Sequence, residues 1–216
     1  NSATAIVPYG SVEISNGYLE ATGSSGLTIR DNGRIQIDGG TVLVNQIRTS
    51  IEGADNIGGY VQTGGTVTVN GGLGGARDTY AVFSLTYEDN VFIMTGGTLN
   101  VTGAIDLNNQ TAGNSGAFHG GLIFINSDPG YINVSGGTVN ITTSQDRNHI
   151  ISSRAPFYNL NITNTSSGLN AKVLVTGGTS GDADIGTNGT NDGGTGDDEW
   201  RTLAAQTLKV LNDLTL

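Results

Sequence analysis

Residues 132–141 read I-N-V-S-G-G-T-V-N-I, and this pattern of an alternating apolar stretch, a glycine pair and a second alternating stretch recurs along the chain. Close copies read I-Q-I-D-G-G-T-V-L-V, Y-V-Q-T-G-G-T-V-T-V and F-I-M-T-G-G-T-L-N-V. A weaker copy reads V-E-I-S-N-G-Y-L-E-A, and a truncated copy reads V-L-V-T-G-G-T. The three close copies occupy residues 35–44, 60–69 and 92–101, the weaker copy occupies residues 12–21, and the truncated copy occupies residues 173–179. Such recurrence is typical of a solenoid, in which stacked units bury the apolar face that one unit cannot bury alone.

Each copy has the sequence features of a strand, a tight bend and a second strand. Ile132 and Val134 alternate with polar residues, as do Val139 and Ile141 beyond the glycines. This period of two predicts half-buried strands. The glycines allow the backbone angles of a sharp turn. A small side chain that can hydrogen-bond within the turn precedes each bend, and these residues are Ser15, Asp38, Thr63, Thr95, Ser135 and Thr176.

The interval between copies lengthens along the chain while the repeated core stays the same. The copies begin at residues 12, 35, 60, 92, 132 and 173, so the intervals are 23, 25, 32, 40 and 41 residues. This spacing predicts coils that carry loops of different length. We therefore expect an all-β fold, a right-handed, single-stranded parallel β-helix of about six to seven coils with one copy in each coil. At the strand spacing of a sheet the rod would be about 30 Å long.

We expect residues 1–216 to form a single β-helix domain, because no linker divides the chain. Stretches at residues 45–59, 108–121 and 181–200 are predicted to be loops on the side of the rod, the last being an acidic insertion in the sixth copy. The chain stops at Leu216 within the alternating stretch L-K-V-L-N-D-L-T-L. A solenoid ending there would expose a strand edge, so we expect a segment of a longer solenoid or a subunit of a fibre.

Composition narrows the functional classes. The net charge of −10 argues against a basic face for nucleic acid or an anionic membrane surface. No apolar run approaches the roughly 18 residues of a membrane span, so membrane insertion is not expected. Glycine contributes 35 residues without a strict period of three, which excludes collagen. Cysteine is absent, so neither disulfides nor thiolate metal sites hold the fold, and we expect no cofactor to be required.

The G-G-T-hydrophobic-x-hydrophobic copies resemble the passenger regions of autotransporter adhesins. The stretch F-Y-N-L-N-I-T at residues 157–163, with V-L-V-T and L-K-V-L-N-D-L-T-L after it, resembles repeats in large secreted surface proteins of Bacteroidota-like bacteria. The likeness covers residues 12–216. It implies an extracellular or cell-surface location and a structural or adhesive role as adhesin, stalk or fibre. The implied partners are a cell-surface glycan or further copies stacked end to end, and no catalytic residue is carried over.

The first candidate site is the acidic stretch of residues 181–200, where six carboxylates lie among glycines and asparagines. Ca²⁺ prefers six to eight oxygen ligands, and residues 193–200 fit one copy of the repeat found in calcium-binding β-rolls. Because those sites need tandem copies, a solvated loop is the alternative interpretation. The candidate calcium ligands are Asp182, Asp184, Asp192, Asp197, Asp198 and Glu199.

A carbohydrate-active protein, a polysaccharide lyase, a glycosidase or a glycan-binding module, is the alternative function, since parallel β-helices include pectate lyases and polygalacturonases. Polygalacturonases need paired aspartates, a G-H-G and an R-x-K, but this chain has no R-x-K and His119 lies in F-H-G-G. A lyase needs a basic proton acceptor, for which Arg77, Arg147 and Arg154 are candidates. No spacing joins these residues into a cleft, and we expect no enzymatic activity. The densest polar cluster is Asp146, Arg147, Asn148 and His149.

Outward-facing threonine and asparagine residues suggest a further candidate. A flat ladder of threonines at the strand spacing is the physical basis of ice binding by β-solenoids. The second column here is mixed, so ice binding is the less favoured function. The two columns are Thr41, Thr66, Thr98 and Thr138, and then Leu43, Thr68, Asn100 and Asn140.

Aromatic side chains are candidate platforms for sugar rings at the edge of a groove. The alternative interpretation places Phe83 in the core and leaves the others as single surface residues. The aromatic residues concerned are Tyr80, Phe83, Tyr87, Tyr158 and Trp200.

Overall fold

The computed structural model describes residues 10–22, 26–30, 32–49, 58–71, 83–85, 87–102, 120–143, 148–165, 172–175 and 208–216. These residues form eighteen strands and one turn of 3-10 helix at Pro129–Tyr131. No helix in the described part of the chain is long and apolar enough to cross a membrane. In chain order the strands are β1 (Ser11–Ile14), β2 (Tyr18–Ala21), β3 (Leu27–Ile29), β4 (Arg34–Ile37), β5 (Thr41–Val44), β6 (Ile47–Thr49), β7 (Gly59–Gln62), β8 (Thr66–Val69), β9 (Phe83–Leu85), β10 (Val91–Met94), β11 (Thr98–Thr102), β12 (Gly120–Ile125), β13 (Ile132–Val134), β14 (Thr138–Thr143), β15 (Asn148–Ser153), β16 (Phe157–Asn164), β17 (Lys172–Val175) and β18 (Val210–Thr215).

The strands form three parallel sheets, and successive strands join different sheets. The first sheet has the spatial order β1-β4-β7-β10-β13, and the second has the order β2-β5-β8-β11-β14-β16-β18. The third sheet has the order β3-β6-β9-β12-β15-β17. Through β15, every third strand returns to the same sheet and pairs with its predecessor, as stacked coils require. The predicted all-β architecture of stacked parallel strands is therefore confirmed.

The alignment of the sequence copies is confirmed residue by residue in the first sheet. Val12 pairs with Ile35, and Ile35 pairs with Tyr60. Tyr60 pairs with Phe92, which pairs in turn with Ile132. The second sheet keeps its register without a shift from β2 to β16. Alternation therefore sends the same positions of each copy into the core, and the intervening positions face outward.

Three aromatic rings fill the core between the coil of β7, β8 and β9 and the coil of β10, β11 and β12. The rings of Tyr60 and Phe92 are stacked with centroids 6.1 Å apart. Phe83 meets both rings edge-on, at 5.0 Å from Tyr60 and 6.1 Å from Phe92. All three residues have an exposed fraction of 0%. Because Phe83 belongs to the third sheet, the cluster joins two sheets across the core, and Phe83 is a core residue rather than a sugar platform.

The glycine pair of each copy is required both by the turn and by the coil stacked against it. The second glycine has a positive φ, 67° at Gly65 and 77° at Gly97, which side chains with a Cβ rarely adopt. At the first glycine, Gly64, an added Cβ would overlap the carbonyl oxygen of Asp38 in the preceding coil. Stacked turns therefore leave no room for a side chain at either position, which explains why two glycines recur rather than one.

The truncated copy at residues 173–179 does not lie where its sequence predicts, so this expectation was wrong. Its strand β17 pairs with β15 of the third sheet, Val173 opposite His149, whereas the matching strands of earlier copies lie in the first sheet. Only residues 154–156 separate β15 from β16, and β16 pairs with β14 of the second sheet. The chain passes from the third sheet to the second without a strand in the first, so one copy per coil fails here.

Two of the predicted loops contain strands. Residues 45–59 include β6 of the third sheet, in which Ile47 and Thr49 are buried, and their last residue begins β7. Residues 108–121 overlap the start of β12 at Gly120. Ile47-Arg48-Thr49 has only one apolar residue, so its sequence does not show the alternation typical of a strand. Residues 50–57 and 108–119 of these predicted loops lie outside the described residues, as does all of 181–200.

The outward column of the third sheet that runs from β3 to β12 is largely buried. Thr28, Ser84 and Phe124 belong to one outward column, and their exposed fractions are 5%, 0% and 1%. Arg48 stands in the same column and donates from Nε to Thr28 Oγ1 at 3.2 Å. Phe124 is buried without belonging to the hydrophobic core cluster, which fits an outward position. Among its described side chains, this column therefore offers little polar surface to solvent, in contrast to the second sheet.

Candidate functional site

The outward side of the second sheet is a polar surface open to solvent. Strands β5, β8, β11, β14 and β16 each supply three outward positions, counting the residue that follows β5 and β8. We call this set the threonine–asparagine grid, and each of its residues is exposed or half-buried. Its columns are Thr41, Thr66, Thr98, Thr138 and Asn159, then Leu43, Thr68, Asn100, Asn140 and Asn161, and then Asn45, Asn70, Thr102, Thr142 and Thr163. The two columns predicted from the sequence are thus confirmed, and a third lies beside them.

Apolar residues on the same strands hold the grid in place. Between the outward positions, each strand sends inward a valine, leucine or isoleucine that packs in the core. Those between the first and second columns are Val42, Val67, Leu99, Val139 and Leu160, with exposed fractions of 0% to 1%. Because a slip of one residue would turn these side chains to the solvent, their burial fixes which residues face outward.

Side-chain hydrogen bonds run along the middle column from coil to coil. Asn161 Nδ2 donates to Asn140 Oδ1 at 2.8 Å, and Asn140 Nδ2 donates to Asn100 Oδ1 at 2.8 Å. Asn100 Nδ2 donates in turn to Thr68 Oγ1 at 3.3 Å. This ladder fixes the orientation of the amides. The sequence predicts the column but not the bonds, although asparagines recurring at one outward position are the signal that would have found them.

Charged residues flank the grid on the neighbouring strands. Glu20 lies in β2 beside Leu43, and Asp213 lies in β18 beside Asn159. The hydroxyl of Tyr18, the β2 residue beside Thr41, donates to Glu20 Oε2 at 2.8 Å. This hydrogen bond to a carboxylate raises the pKa of the Tyr18 hydroxyl above its ordinary value. Charge thus begins only at the borders of the grid.

Hydrogen bonds to Asp38 join two stacked turns between the first and second sheets. Thr63 Oγ1 donates to Asp38 Oδ1 at 2.6 Å, and Gln36 Nε2 donates to Asp38 Oδ2 at 2.8 Å. These hydrogen bonds, that from Thr63 first, lower the pKa of the Asp38 carboxyl below its ordinary value. Because hydrogen bonds favour the ionised form, their contribution is present above the unfolded pKa and is lost as pH falls through the lowered folded pKa. The sequence predicts that the residue before the glycines hydrogen-bonds within its own turn, whereas Thr63 bonds to Asp38 in the turn of the preceding coil.

An ionic cluster joins the turns that lead out of the third sheet. Arg154 Nη1 lies 2.6 Å from Asp128 Oδ1 and 3.0 Å from Glu88 Oε1. The charge of Asp89, together with a hydrogen bond to it, raises the pKa of Tyr131. Arg154 was a candidate proton acceptor, but here its guanidinium is held between two carboxylates. This arrangement tethers three successive coils and is a structural use of the arginine.

A buried polar pair interrupts the apolar core. Tyr60 donates from its hydroxyl to Gln62 Oε1 at 2.8 Å, and both residues are fully buried. Gln62 Nε2 donates to the carbonyl oxygens of Gly64 and Thr98 at 3.2 and 3.1 Å. Burial raises the pKa of the Tyr60 hydroxyl, which therefore stays neutral. Because inward positions alternate along a strand, the sequence Y-V-Q predicts that Gln62 faces inward together with Tyr60. The hydrogen bond from Gln62 to Thr98 makes the pair a structural link between coils.

Most residues of the other predicted sites lie outside the described part of the chain. These are the six candidate calcium ligands of residues 181–200, and also Arg77, Tyr80, His119, Asp146, Arg147 and Trp200. His149 lies in β15 opposite Gly120 and Val173, and Tyr87 and Tyr158 are half-buried. Among the described residues, no group of three or more histidine or acidic side chains could hold a metal ion. The calcium site stays a prediction.

No protein-family model matches the chain, and neither a curated protein nor a solved structure matches it significantly. Function must therefore be argued from the surfaces that the fold presents rather than from relatives. The resemblance to bacterial surface proteins rests on the sequence motifs alone.

Proposed function

We propose that this chain is a structural or adhesive segment of a bacterial surface protein, a stalk or fibre built as a right-handed parallel β-helix of six to seven coils. The observation that carries the proposal is the set of three parallel sheets, in which strands pair from coil to coil. A right-handed path is the usual one for parallel strands joined by crossovers. Five coils with strands in all three sheets, followed by β16, β17 and β18, support the coil count.

The proposed mechanism is passive. Backbone groups in the interior of each sheet are paired on both sides, so a protease finds little extended chain to bind there. The side-chain ladder of the asparagines and the cluster around Arg154 add links along the same axis. A rod of this kind transmits force along its length and displays its outward faces at a distance from the cell.

We propose an extracellular or cell-surface location, with a cell-surface glycan or other copies of the chain stacked end to end as partners. The acidic net charge of −10 keeps such rods apart in solution and disfavours nucleic acid and anionic membrane surfaces. Membrane insertion and enzymatic activity are not part of the proposal. A polysaccharide lyase or glycosidase remains the competing hypothesis that an experiment should address.

Binding without turnover is the expected result when the chain is mixed with acidic and neutral polysaccharides. Pull-down on insoluble glycans and light scattering would measure attachment and self-association, with heat-unfolded chain as the control. Reducing-end assays and the ultraviolet absorbance of unsaturated sugars would measure cleavage. New reducing ends or unsaturated products would make the chain an enzyme, and absence of both retention and self-association would contradict the adhesive role.

Millimolar Ca²⁺ should raise the melting temperature, and EDTA should reverse the shift, because a cation that binds only the folded chain stabilises it by mass action. The double substitution Asp197→Asn and Asp198→Asn should remove the shift, since it neutralises two of the six candidate ligands. Asp213→Asn, an exposed carboxylate in β18, is the matched control and should retain it. An unchanged melting temperature in the unaltered chain would make residues 181–200 a solvated insertion.

A further inference from the structure

The threonine–asparagine grid is free of charge in a strongly acidic chain. All its residues are threonine or asparagine except Leu43, and none is aspartate, glutamate, lysine or arginine, whereas the chain has a net charge of −10. The outward side of the first sheet, by contrast, carries Glu13 and Arg34. Glu20 and Asp213 mark the borders of the grid. A surface without charged residues fits a neutral partner. A charged group on the partner would find no opposite charge on the grid to offset the cost of losing its hydration shell.

The grid is also a regular lattice of hydroxyl and amide groups. Its register is unbroken from β5 to β16, while shifts occur in β12 against β15 and in β16 against β18. Its columns repeat at the strand spacing of about 4.8 Å along the solenoid, and positions two residues apart repeat at about 6.6 Å across it. Both repeats are comparable with those of water oxygens on the prism faces of hexagonal ice.

The polar groups of the grid are held in place before any partner binds. The amides of Asn100, Asn140 and Asn161 are fixed by their ladder of hydrogen bonds. Threonine is stiff at χ1 because it branches at Cβ, and most grid threonines are half-buried between their neighbours. Binding to a rigid lattice would therefore cost little side-chain entropy.

We propose that the grid binds the surface of ice crystals. Ice is neutral and ordered, and its surface presents hydrogen-bond donors and acceptors. The grid is likewise uncharged, regular and lined by hydroxyl and amide groups. A sugar polymer fits less well, because no residue of the grid is aromatic and the exposed ring of Tyr18 lies only at its border, beside Thr41. A second copy of the chain fits less well because acidic residues border the grid and the net charge is strongly negative. The inference goes beyond the proposed stalk and does not depend on attachment to a glycan.

Thermal hysteresis and ice shaping by the full chain, measured in a nanolitre osmometer, test the proposal directly. Thr98→Lys puts a charge on β11, the middle strand of the grid, and loss of thermal hysteresis is expected. Asn133→Lys puts the same charge on an exposed position of β13 in the first sheet, and hysteresis should be retained. Thr66→Val keeps the shape, removes one hydroxyl and adds no charge, so a partial loss is expected even if Thr98→Lys fails to fold. Circular dichroism melts would verify folding of each variant.

Absence of both thermal hysteresis and ice shaping in the folded, unaltered chain would overturn the proposal. Equal hysteresis in Thr98→Lys and Asn133→Lys, with both folded, would also overturn it, since the grid would then not be the binding face. Retention on crystalline cellulose without hysteresis would assign the grid to a glycan instead. If the unaltered chain shows no hysteresis but self-associates, and Thr98→Lys abolishes that self-association, the grid would be the contact surface for a second copy of the chain.

Discussion

Replacing Phe92 with alanine should lower the free energy of unfolding by about 3–5 kcal/mol, the range for removing a fully buried aromatic side chain. The ring has an exposed fraction of 0% and is stacked on Tyr60. It also meets the edge of Phe83 from the third sheet. Alanine would leave a cavity between two coils, and the strands that pair with β10 on either side limit how far the backbone can collapse into it. Urea unfolding followed by circular dichroism measures the loss.

Tyr18→Ala is the matched control for this prediction. Tyr18 is also an aromatic residue on a strand, but it faces outward and is 61% exposed. Its removal should change the free energy of unfolding by about 0.5 kcal/mol or less, as is usual for surface substitutions. Comparable losses in the two variants would mean that the aromatic cluster does not hold these coils together. Loss confined to Phe92→Ala would identify the cluster as a main source of cohesion in a chain that has no cysteine.

The parts of the fold that the sequence predicts are those in which two signals agree. Alternation identifies the strands before and after each bend, and the glycine pair fixes their alignment. The sequence therefore predicts that Tyr60 and Phe92 lie opposite one another, and they do pair. The outward column of Thr66 and Thr98 follows from the same alignment. β6 was not predicted because it carries neither signal: Ile47-Arg48-Thr49 has one apolar residue and no glycine pair.

The truncated copy shows why a motif alone cannot assign a strand to a sheet. Val173 and Val175 alternate as in earlier copies, but alternation determines only which side chains face inward, not which sheet the strand joins. The choice of sheet depends on where the preceding strands lie, and here it is decided at the short connection between β15 and β16. The three residues between β15 and β16 leave no strand for the first sheet, and this constraint acts at a distance from the motif itself.

For the candidate site, the sequence predicts positions but not interactions. The column of Asn100 and Asn140 follows from the alignment of copies, whereas the hydrogen bond between their amides depends on side-chain rotamers that alternation does not determine. The same is true of Arg154, whose carboxylate partners Glu88 and Asp128 come from two earlier turns. Contacts between coils are distant in sequence, so only the stacked structure reveals them.

Replacing Gly97 with alanine should lower the free energy of unfolding by about 2–4 kcal/mol, for two reasons that act together. The residue has a φ of 77°, and a left-handed conformation costs a residue with a Cβ roughly 1–2 kcal/mol. The new Cβ would also overlap the carbonyl oxygen of Gly64 in the preceding coil and lie 2.7 Å from Gln62 Nε2. Relieving that overlap would disturb the hydrogen bonds of Gln62, of which the one to the carbonyl oxygen of Thr98 links two coils. Urea unfolding measures the loss.

Two further glycine substitutions separate these causes. Gly64→Ala has no positive φ to strain, but its Cβ would overlap the carbonyl oxygen of Asp38, so it tests close approach alone and should cost less than Gly97→Ala. At Gly130 no atom lies within 4 Å of an added Cβ and φ is not positive, so alanine should change stability by about 0.5 kcal/mol or less. If Gly64→Ala were as harmless as Gly130→Ala, the first glycine of each pair would serve the turn rather than the stacking of coils. The expected order, with Gly97→Ala most costly, would instead mean that each G-G-T turn is shaped by the coil stacked against it, and that the coils are specified as a stack rather than one at a time.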